Sequence, residues 1–392
     1  MRAVFLPGLC KHRRLSLLLV LSLGLCCLPL THAAPRKDTQ APSKHARPAK
    51  AGKHTASTKA PHARAARQRP VARDGYAARD DAMQWADEAA ARLDLPADWV
   101  RQQVGQARRI PVIEQLILPA AAPAAKNWAA YRSRFIEPKR IEAGAAFWQQ
   151  HQATLARAEQ TYGVPASIIV GILGVETLYG QHTGTFRILD ALSTLAFDFP
   201  AAHPRARERQ AFFQGELGHF LRLVQRSGTD TQSYRGSYAG AMGLPQFMPS
   251  SWSHYAVDFD GDGRIDLFTN PADAIGSVAN YFKAFQWQPG MPTHYPVRIT
   301  PGQTDLDALL APDILPTFSA EAFTAKGAQI EGAALQHPGK LALIELRNGD
   351  ASPSYVAGTE NFYAVTRYNW SSYYAMAVIE LGQAVAERIG GQ

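Results

Sequence analysis

After residue 75, apolar positions recur at steps of three and four in several long windows, which predicts a body built mostly of helices. Residues 145–162 read as one helix stopped at Gly163. Pro165 then sits at the first turn of the next, which runs through Ile168, Ile169, Ile172 and Leu173 to about Tyr179, with Gly180 as its stop. Residues 207–226 form a further amphipathic helix. Asn270 and Pro271 read as the cap and first residue of one with Ile275, Val278, Ala279 and Phe282 on one face. Alternating or β-branched runs come only late, at residues 295–300, 340–347 and 362–366, among Gly- and Pro-rich stretches, and a last helix spans residues 372–389. The expected class is α+β, predominantly α, with a small β-containing portion and no repeat at solenoid period.

The first part of the chain does not carry this pattern. Residues 1–33 hold Arg2, Lys11, Arg13 and Arg14, an apolar run over residues 15–30, and Thr31-His32-Ala33 at a position a signal peptidase reads. The run is short for the ~20 apolar residues a membrane span needs, so it reads as an export signal. Cys10, Cys26 and Cys27 all lie within it, so cleavage after Ala33 leaves a protein without disulfides or Cys-based metal sites. Leu25 precedes Cys26, and neither Cys follows the small residue of a lipoprotein signal, which argues for a soluble periplasmic form over a lipid-anchored one. Residues 34–75 are rich in Ala, Pro, Lys, Arg and His and have almost no large apolar side chain, the composition of a disordered basic linker.

Charge divides along the same boundary. Residues 34–75 carry eleven Lys and Arg against Asp38 and Asp74, a net of +9, whereas residues 76–392 carry 26 against 31, a net of −5. The overall +8 therefore belongs to the leader, and nucleic-acid binding by the folded part is not expected. The basic linker is expected to associate weakly with anionic wall polymer or lipid headgroups, or else to be a solvated tether. The folded part, residues 76–392, is expected to be monomeric.

Within Gly171-Ile-Leu-Gly-Val-Glu176-Thr-Leu-Tyr-Gly180 a lone carboxylate interrupts an apolar helix. Desolvation there disfavours the charged form and raises the pKa, which is how a general acid is made; Tyr179, one turn on, is a candidate apolar neighbour. The segment over residues 236–252 is rich in Gly and Ala with one amide and several hydroxyls, which suits a backbone lying close to a sugar, with Ser237 and Gln246 as candidate contacts, or a tight structural turn. A two-carboxylate glycosidase needs a second acid about 5–9.5 Å from the first. Asp190 and Asp198 are the nearest downstream acids and equally fit cap or surface positions.

Gly-Val-Glu-Thr followed by Ser237-Tyr-Ala-Gly-Ala-Met-Gly-Leu-Pro-Gln246-Phe-Met-Pro-Ser-Ser-Trp252 closely resembles the lytic murein transglycosylase B family, over roughly residues 76–392. The resemblance implies a lysozyme-like, goose-type-like core. It implies that Glu176 first protonates the glycosidic oxygen between N-acetylmuramic acid and N-acetylglucosamine in peptidoglycan. Glu176 then acts as base toward the sugar's own C6 hydroxyl, leaving a 1,6-anhydromuramic end. It also implies that Ser237 lies against Glu176 and the acetamido group. Tyr131, Tyr281, Tyr368 and Asn369 are carried onto the glycan groove by the same resemblance, and sugar C–H faces do stack on such rings. Arg205, Arg207 and Arg209 are candidate contacts for an acidic stem peptide or the lactyl group, or the start of a solvated helix.

Asp258-Phe-Asp260-Gly-Asp262-Gly-Arg264-Ile-Asp266 fits the opening of an EF-hand loop, with oxygen ligands at alternate positions and Gly at the sharp turn. Ca²⁺ is the metal such a set favours. The expected ligands are Asp258, Asp260, Asp262 and Arg264 by its carbonyl, with Asp273 closing the site because Thr269 stands where a bidentate Glu is usual. The role expected is structural. Two alternatives stay open: a hydrolytic muramidase that uses water and a second carboxylate, and a non-catalytic wall-binding scaffold in which Glu176 is only a satisfied buried residue.

Overall fold

The computed structural model describes residues 75–119 and 126–391. The export signal at residues 1–33 and nearly all of the linker at 34–75 lie outside the described residues. No described helix is long and apolar enough to cross a membrane.

The body opens with α1 (Asp80–Leu93), α2 (Ala97–Gln106), α3 (Pro111–Leu116) and α4 (Trp128–Arg132). Two helices follow, α5 (Pro138–Gln150) and α6 (Gln152–Tyr162), where a single helix was expected. The break falls at His151, whose backbone (φ −114°, ψ 22°) leaves the helical region. Apolar spacing continues across it, so sequence periodicity does not register the kink.

Helix α7 (Ala166–Thr177) is buried almost all round, as its run of Ile, Val, Leu and Gly requires. Pro165 is its N-cap. It stops at Thr177, short of Tyr179 and Gly180, because Leu178 and Tyr179 both take left-handed conformations (φ 50° and 56°). Two non-glycine residues in that region are strained, and the surrounding structure must hold them. Thr177 helps to do so: its hydroxyl donates to the Leu244 carbonyl at 2.9 Å and accepts from the Gly180 N–H at 3.0 Å.

Strands β1 (Phe186–Arg187) and β2 (Arg235–Gly236) form a short antiparallel ribbon flanking α8 (Ile188–Phe197) and α9 (Ala206–Ser227). The ribbon leads into the Gly-rich segment, where a Cβ on Gly236 would lie 2.1 Å from the Ala241 carbonyl oxygen, so only glycine permits that fold-back. Then come α10 (Pro249–Tyr255) and α11 (Pro271–Ala284), the latter capped by Asn270, whose side chain accepts from the Ala272 N–H. Ile275, Val278, Ala279 and Phe282 are buried on it as expected.

A three-stranded antiparallel sheet follows, in the order β3 (His294–Pro296), β5 (Ala351–Gly358), β4 (Ala342–Asn348), with α12 (Leu306–Leu310) and α13 (Ala320–Ala325) inserted between its strands in sequence. It closes a second small core of Leu309, Phe323, Leu341, Leu343 and Ala357. Residues 362–366, expected as a strand, lie in α14 (Glu360–Tyr368), started by a Thr359 cap that accepts from the Asn361 N–H. A five-residue apolar run fits either period, and here the cap decides. The last helix is α15 (Ser372–Gly390).

Helices α7 and α15 approach very closely. A Cβ on Gly171 would lie 2.2 Å from the Val378 carbonyl oxygen, and one on Gly382 would lie 2.1 Å from that of Ser167. This contact brings the start of α15 over the end of α7, where Glu176 sits.

Candidate active site

Glu176 is the penultimate residue of α7 and half-buried. Tyr374, on the first turn of α15, donates its hydroxyl to Oε1 at 2.5 Å. Burial pushes the carboxyl from its ordinary value of 4.5 up to about 7, and the tyrosine hydrogen bond holds it back in part. No other acidic group perturbs it among the described residues. Asp190 is taken by Arg187 (2.6 Å) and the Arg108 N–H, and Asp198 by Tyr76 and Arg79 (both 2.7 Å), so both belong to structural networks.

Tyr374 was not singled out by its local sequence. Tyr179, which was, packs instead on Phe147 at 5.3 Å, and its hydroxyl sits over Gly144 and Gly174, making no hydrogen bond to Glu176. The left-handed turn after Thr177 carries it to the α5 side of the helix.

Around this pair is an aromatic cluster. Tyr368 stacks on Tyr374, with centroids 6.4 Å apart and planes 13° apart, and its hydroxyl donates to the Pro245 carbonyl at 2.5 Å, tying the ring to the Gly-rich segment. Tyr281 lies 4.8 Å from Tyr368, but it is only 5% exposed and its hydroxyl donates to the Arg367 carbonyl at 2.6 Å. Its ring packs against Tyr368, and little of it is open to a ligand in this state. Tyr131 is half-buried against Trp128, Phe135 and Tyr373.

Ser237 and Gln246 sit half-buried in the Gly-rich segment. The Ser237 hydroxyl accepts from the Ala241 N–H at 3.0 Å and the Ala239 N–H at 3.3 Å, so in this state it caps its own turn. The Gln246 amide donates to the Thr183 and Gly243 carbonyls, at 3.1 and 2.9 Å, from a backbone held at φ 51°. That strain and those two bonds fix the amide and leave its oxygen as the acceptor on offer. Asn369 ends α14, and its Oδ1 is a buried acceptor with no partner among the described residues. An orphaned acceptor beside the Tyr368–Tyr374 stack is suited to an N–H brought by a ligand.

The acidic loop stands apart from this cluster. Ligand oxygens of Asp258, Asp260 and Asp262 lie within 4.8 Å of one another, and the Gly261 and Gly263 N–H groups fold onto Asp258 at 2.7 and 2.8 Å. Asp273 is not brought into that group. It is fully buried, and its two oxygens accept from the Phe259 and Asp266 N–H groups, both at 2.8 Å, so it braces the loop from the first turn of α11. Burial pushes Asp273 up, with the charges of Asp260 and Asp258 adding to it, which marks the loop as short of positive charge.

Residues 78–383 match the family model described as the transglycosylase SLT domain. The chain belongs to this lytic transglycosylase family. It is 40% identical over 327 residues to the membrane-bound lytic murein transglycosylase B of Escherichia coli, covering 79% of this chain and 84% of that one. Soluble lytic transglycosylase SltB1 of Pseudomonas aeruginosa superposes with a TM-score of 0.70 at 41% identity, over 79% of this chain and 99% of that one. The E. coli lytic transglycosylase SLT35, solved in complex with calcium, superposes with a TM-score of 0.69 at 38% identity, over 80% and 95%. The helix-rich body with its small antiparallel sheet is thus the lysozyme-like fold of the lytic transglycosylases.

Of the three arginines named at residues 205–209, Arg207 is exposed on the first turn of α9 and the other two are engaged within the fold. Arg205 pairs with Glu208, and Arg209 is buried with its guanidinium 4.9 and 5.0 Å from the rings of Phe212 and Phe213.

Proposed function

We propose that this transglycosylase cleaves the β-1,4 bond between N-acetylmuramic acid and N-acetylglucosamine in peptidoglycan, with Glu176 as its single acid and base. The observation that carries the reading is one half-buried carboxyl, poised near neutrality and bonded to a tyrosine, with no second carboxylate among the described residues acting on it. Protonated Glu176 gives its proton to the glycosidic oxygen as the bond to C1 of the muramic acid breaks. The resulting carboxylate takes the proton of the C6 hydroxyl while that oxygen bonds to C1. A 1,6-anhydro end forms, Glu176 is again protonated, and no water is consumed. Tyr368, Tyr131, Ser237, Gln246 and Asn369 are assigned to holding the glycan, and Tyr281 to holding Tyr368.

Ca²⁺ is assigned to Asp258, Asp260, Asp262 and the Arg264 carbonyl, as a brace for the loop and with no part in the chemistry. The clustered acids and the calcium complex of the SLT35 relative support this. Residues 1–33 are assigned as an export signal, 34–75 as a basic linker and 76–392 as the catalytic region, acting in the periplasm.

The test is mass spectrometry of muropeptides released from purified sacculi, beside a Glu176→Gln control. Anhydro ends from the native enzyme and a fall of at least about a thousandfold in the control are expected, because removing the proton donor removes both halves of the reaction. Reducing ends would show that water attacks and that a second acid has to be found.

A further inference from the structure

Away from Glu176 and its aromatic cluster, a groove of about 1010 Å³ opens between the end of α9, helix α10 and the acidic loop. Its volume is at the top of the ~300–1,000 Å³ range of small-molecule sites, so it suits an extended oligomer. Arg222, Arg226, Arg235 and Arg264 all line it, from three separate segments of the chain. The one acid among its lining residues, Asp266, is occupied by the Phe268 and Thr269 N–H groups, at 2.8 and 3.0 Å. None of the four guanidinium groups pairs with a carboxylate among the described residues: Arg222 and Arg235 donate to backbone carbonyls, and Arg226 and Arg264 are exposed. The floor is aromatic, with Phe268 5.6 Å from Tyr234 and 5.7 Å from Trp252.

We infer that this groove binds the peptide stem of peptidoglycan through its free carboxylates. The inference rests on the reading of the chain as a murein-cleaving enzyme. Guanidinium forks match carboxylates in geometry as well as charge, and the aromatic floor offers apolar surface to alanine methyls. A flat lipid surface would not reach a concave floor, and a neutral glycan would leave the four charges unmatched. Arg235 also begins β2, and Ser237 of the Gly-rich segment follows two residues later, about 7 Å along an extended chain. A stem of four or five residues reaches up to about 15 Å, so a peptide on a glycan seated at Ser237 spans the interval.

The experiment is titration of the full enzyme with the free tetrapeptide stem, read by tryptophan fluorescence, beside the same peptide with its carboxylates amidated. Native protein is expected to bind saturably and more weakly as salt is raised. The double variant Arg222→Gln/Arg226→Gln should bind about tenfold more weakly, for two partly exposed charge-assisted contacts, and the amidated peptide should not bind. The variant should melt at the native temperature and cleave peptide-free glycan strands at the native rate. Equal binding by the variant, equal binding of the amidated peptide, or no saturable binding would each overturn the inference, and loss of anionic-vesicle binding instead would reassign the groove to membrane. Cleavage of sacculi by native enzyme is read separately, so failure of the murein reading shows there and not in the titration.

Discussion

The Tyr374 hydroxyl reaches Oε1 of Glu176 across 198 residues of chain, at 2.5 Å, and this bond and the burial of the carboxyl pull its pKa in opposite directions. Burial favours the neutral acid, while a hydrogen bond donated by tyrosine favours the carboxylate, and the outcome near pH 7 shows that burial wins. In the proposed reaction the acid must be neutral before bond cleavage and charged after it, so the tyrosine stabilises the second of those states. Replacing Tyr374 by Phe removes the downward pull alone. The alkaline limb of the kcat/KM profile is expected to move up by about 0.5–1 pH unit, while the maximum rate falls because the carboxylate base is less well held. A rate profile between about pH 5 and pH 9 checks both, and an unmoved limb would take Tyr374 out of the titration.

The same burial sets a stability prediction. The folded-state pKa of Glu176, about 7, lies above the ordinary 4.5, so between those values the folded protein binds more protons than the unfolded chain. Stability contributed by the neutral acid is therefore complete below about pH 4.5 and lost as pH rises through 7. Glu176→Gln carries no charge to desolvate. The variant should match the native protein at about pH 4 and exceed it by about 1–3 kcal/mol at about pH 8, even as it loses cleavage. Thermal melts at the two pH values decide it, and a variant less stable at both would mean that Glu176 is held by contacts beyond Tyr374.

Glu176 stood out in the sequence because a single acid in a helix that is apolar except for Ser167 and Thr177 is visible without any partner. Its partner was not visible. Tyr374 is one tyrosine of a Tyr-Tyr pair at a helix start, and only the α7–α15 packing selects it. Tyr179 was the nearer guess and failed because two residues adopt left-handed backbone where a helix was expected to continue. Strand β5 escaped notice for a local reason: Pro353 reads against a strand. It is tolerated because β3 pairs only with Val356, Ala357 and Gly358, and because the β4 register shifts between Leu346 and Asn348, leaving no ladder bond for that residue to donate. Asp273 had the right spacing for a ligand, but its helix position turned both oxygens onto backbone amides.

The approach of α7 to α15 is set by glycine and is sensitive to one methyl group. In Gly171→Ala the new Cβ meets the Val378 carbonyl oxygen at 2.2 Å, and that atom belongs to the backbone of α15, which gives way only if the helix shifts. A loss of about 2–3 kcal/mol is expected, with cleavage reduced further because Tyr374 moves off Glu176. Gly215→Ala in α9 is the control: a Cβ there meets nothing within 4 Å, so helix propensity should stabilise it by up to about 1 kcal/mol. Denaturant melts of the two variants should diverge in sign.

Calcium should act on the fold and leave the chemistry alone. Asp258, Asp260 and Asp262 hold ligand oxygens within 4.8 Å of one another, and Asp273 is pushed up by burial and then by the charges of Asp260 and Asp258, so a divalent cation relieves a repulsion the loop otherwise carries. A ligand at about a hundred times its Kd adds about 2.7 kcal/mol, so saturating Ca²⁺ should raise the melting temperature by about 5 °C over chelator-treated protein. Asp258→Asn, which removes charge from the residue whose oxygens gather the loop amides, should lose most of that increment. Cleavage by folded protein well below its melting point should be the same with calcium or with chelator, since no metal touches Glu176 in the proposed reaction. A Ca²⁺-dependent rate under those conditions would show instead that the loop controls the catalytic groove.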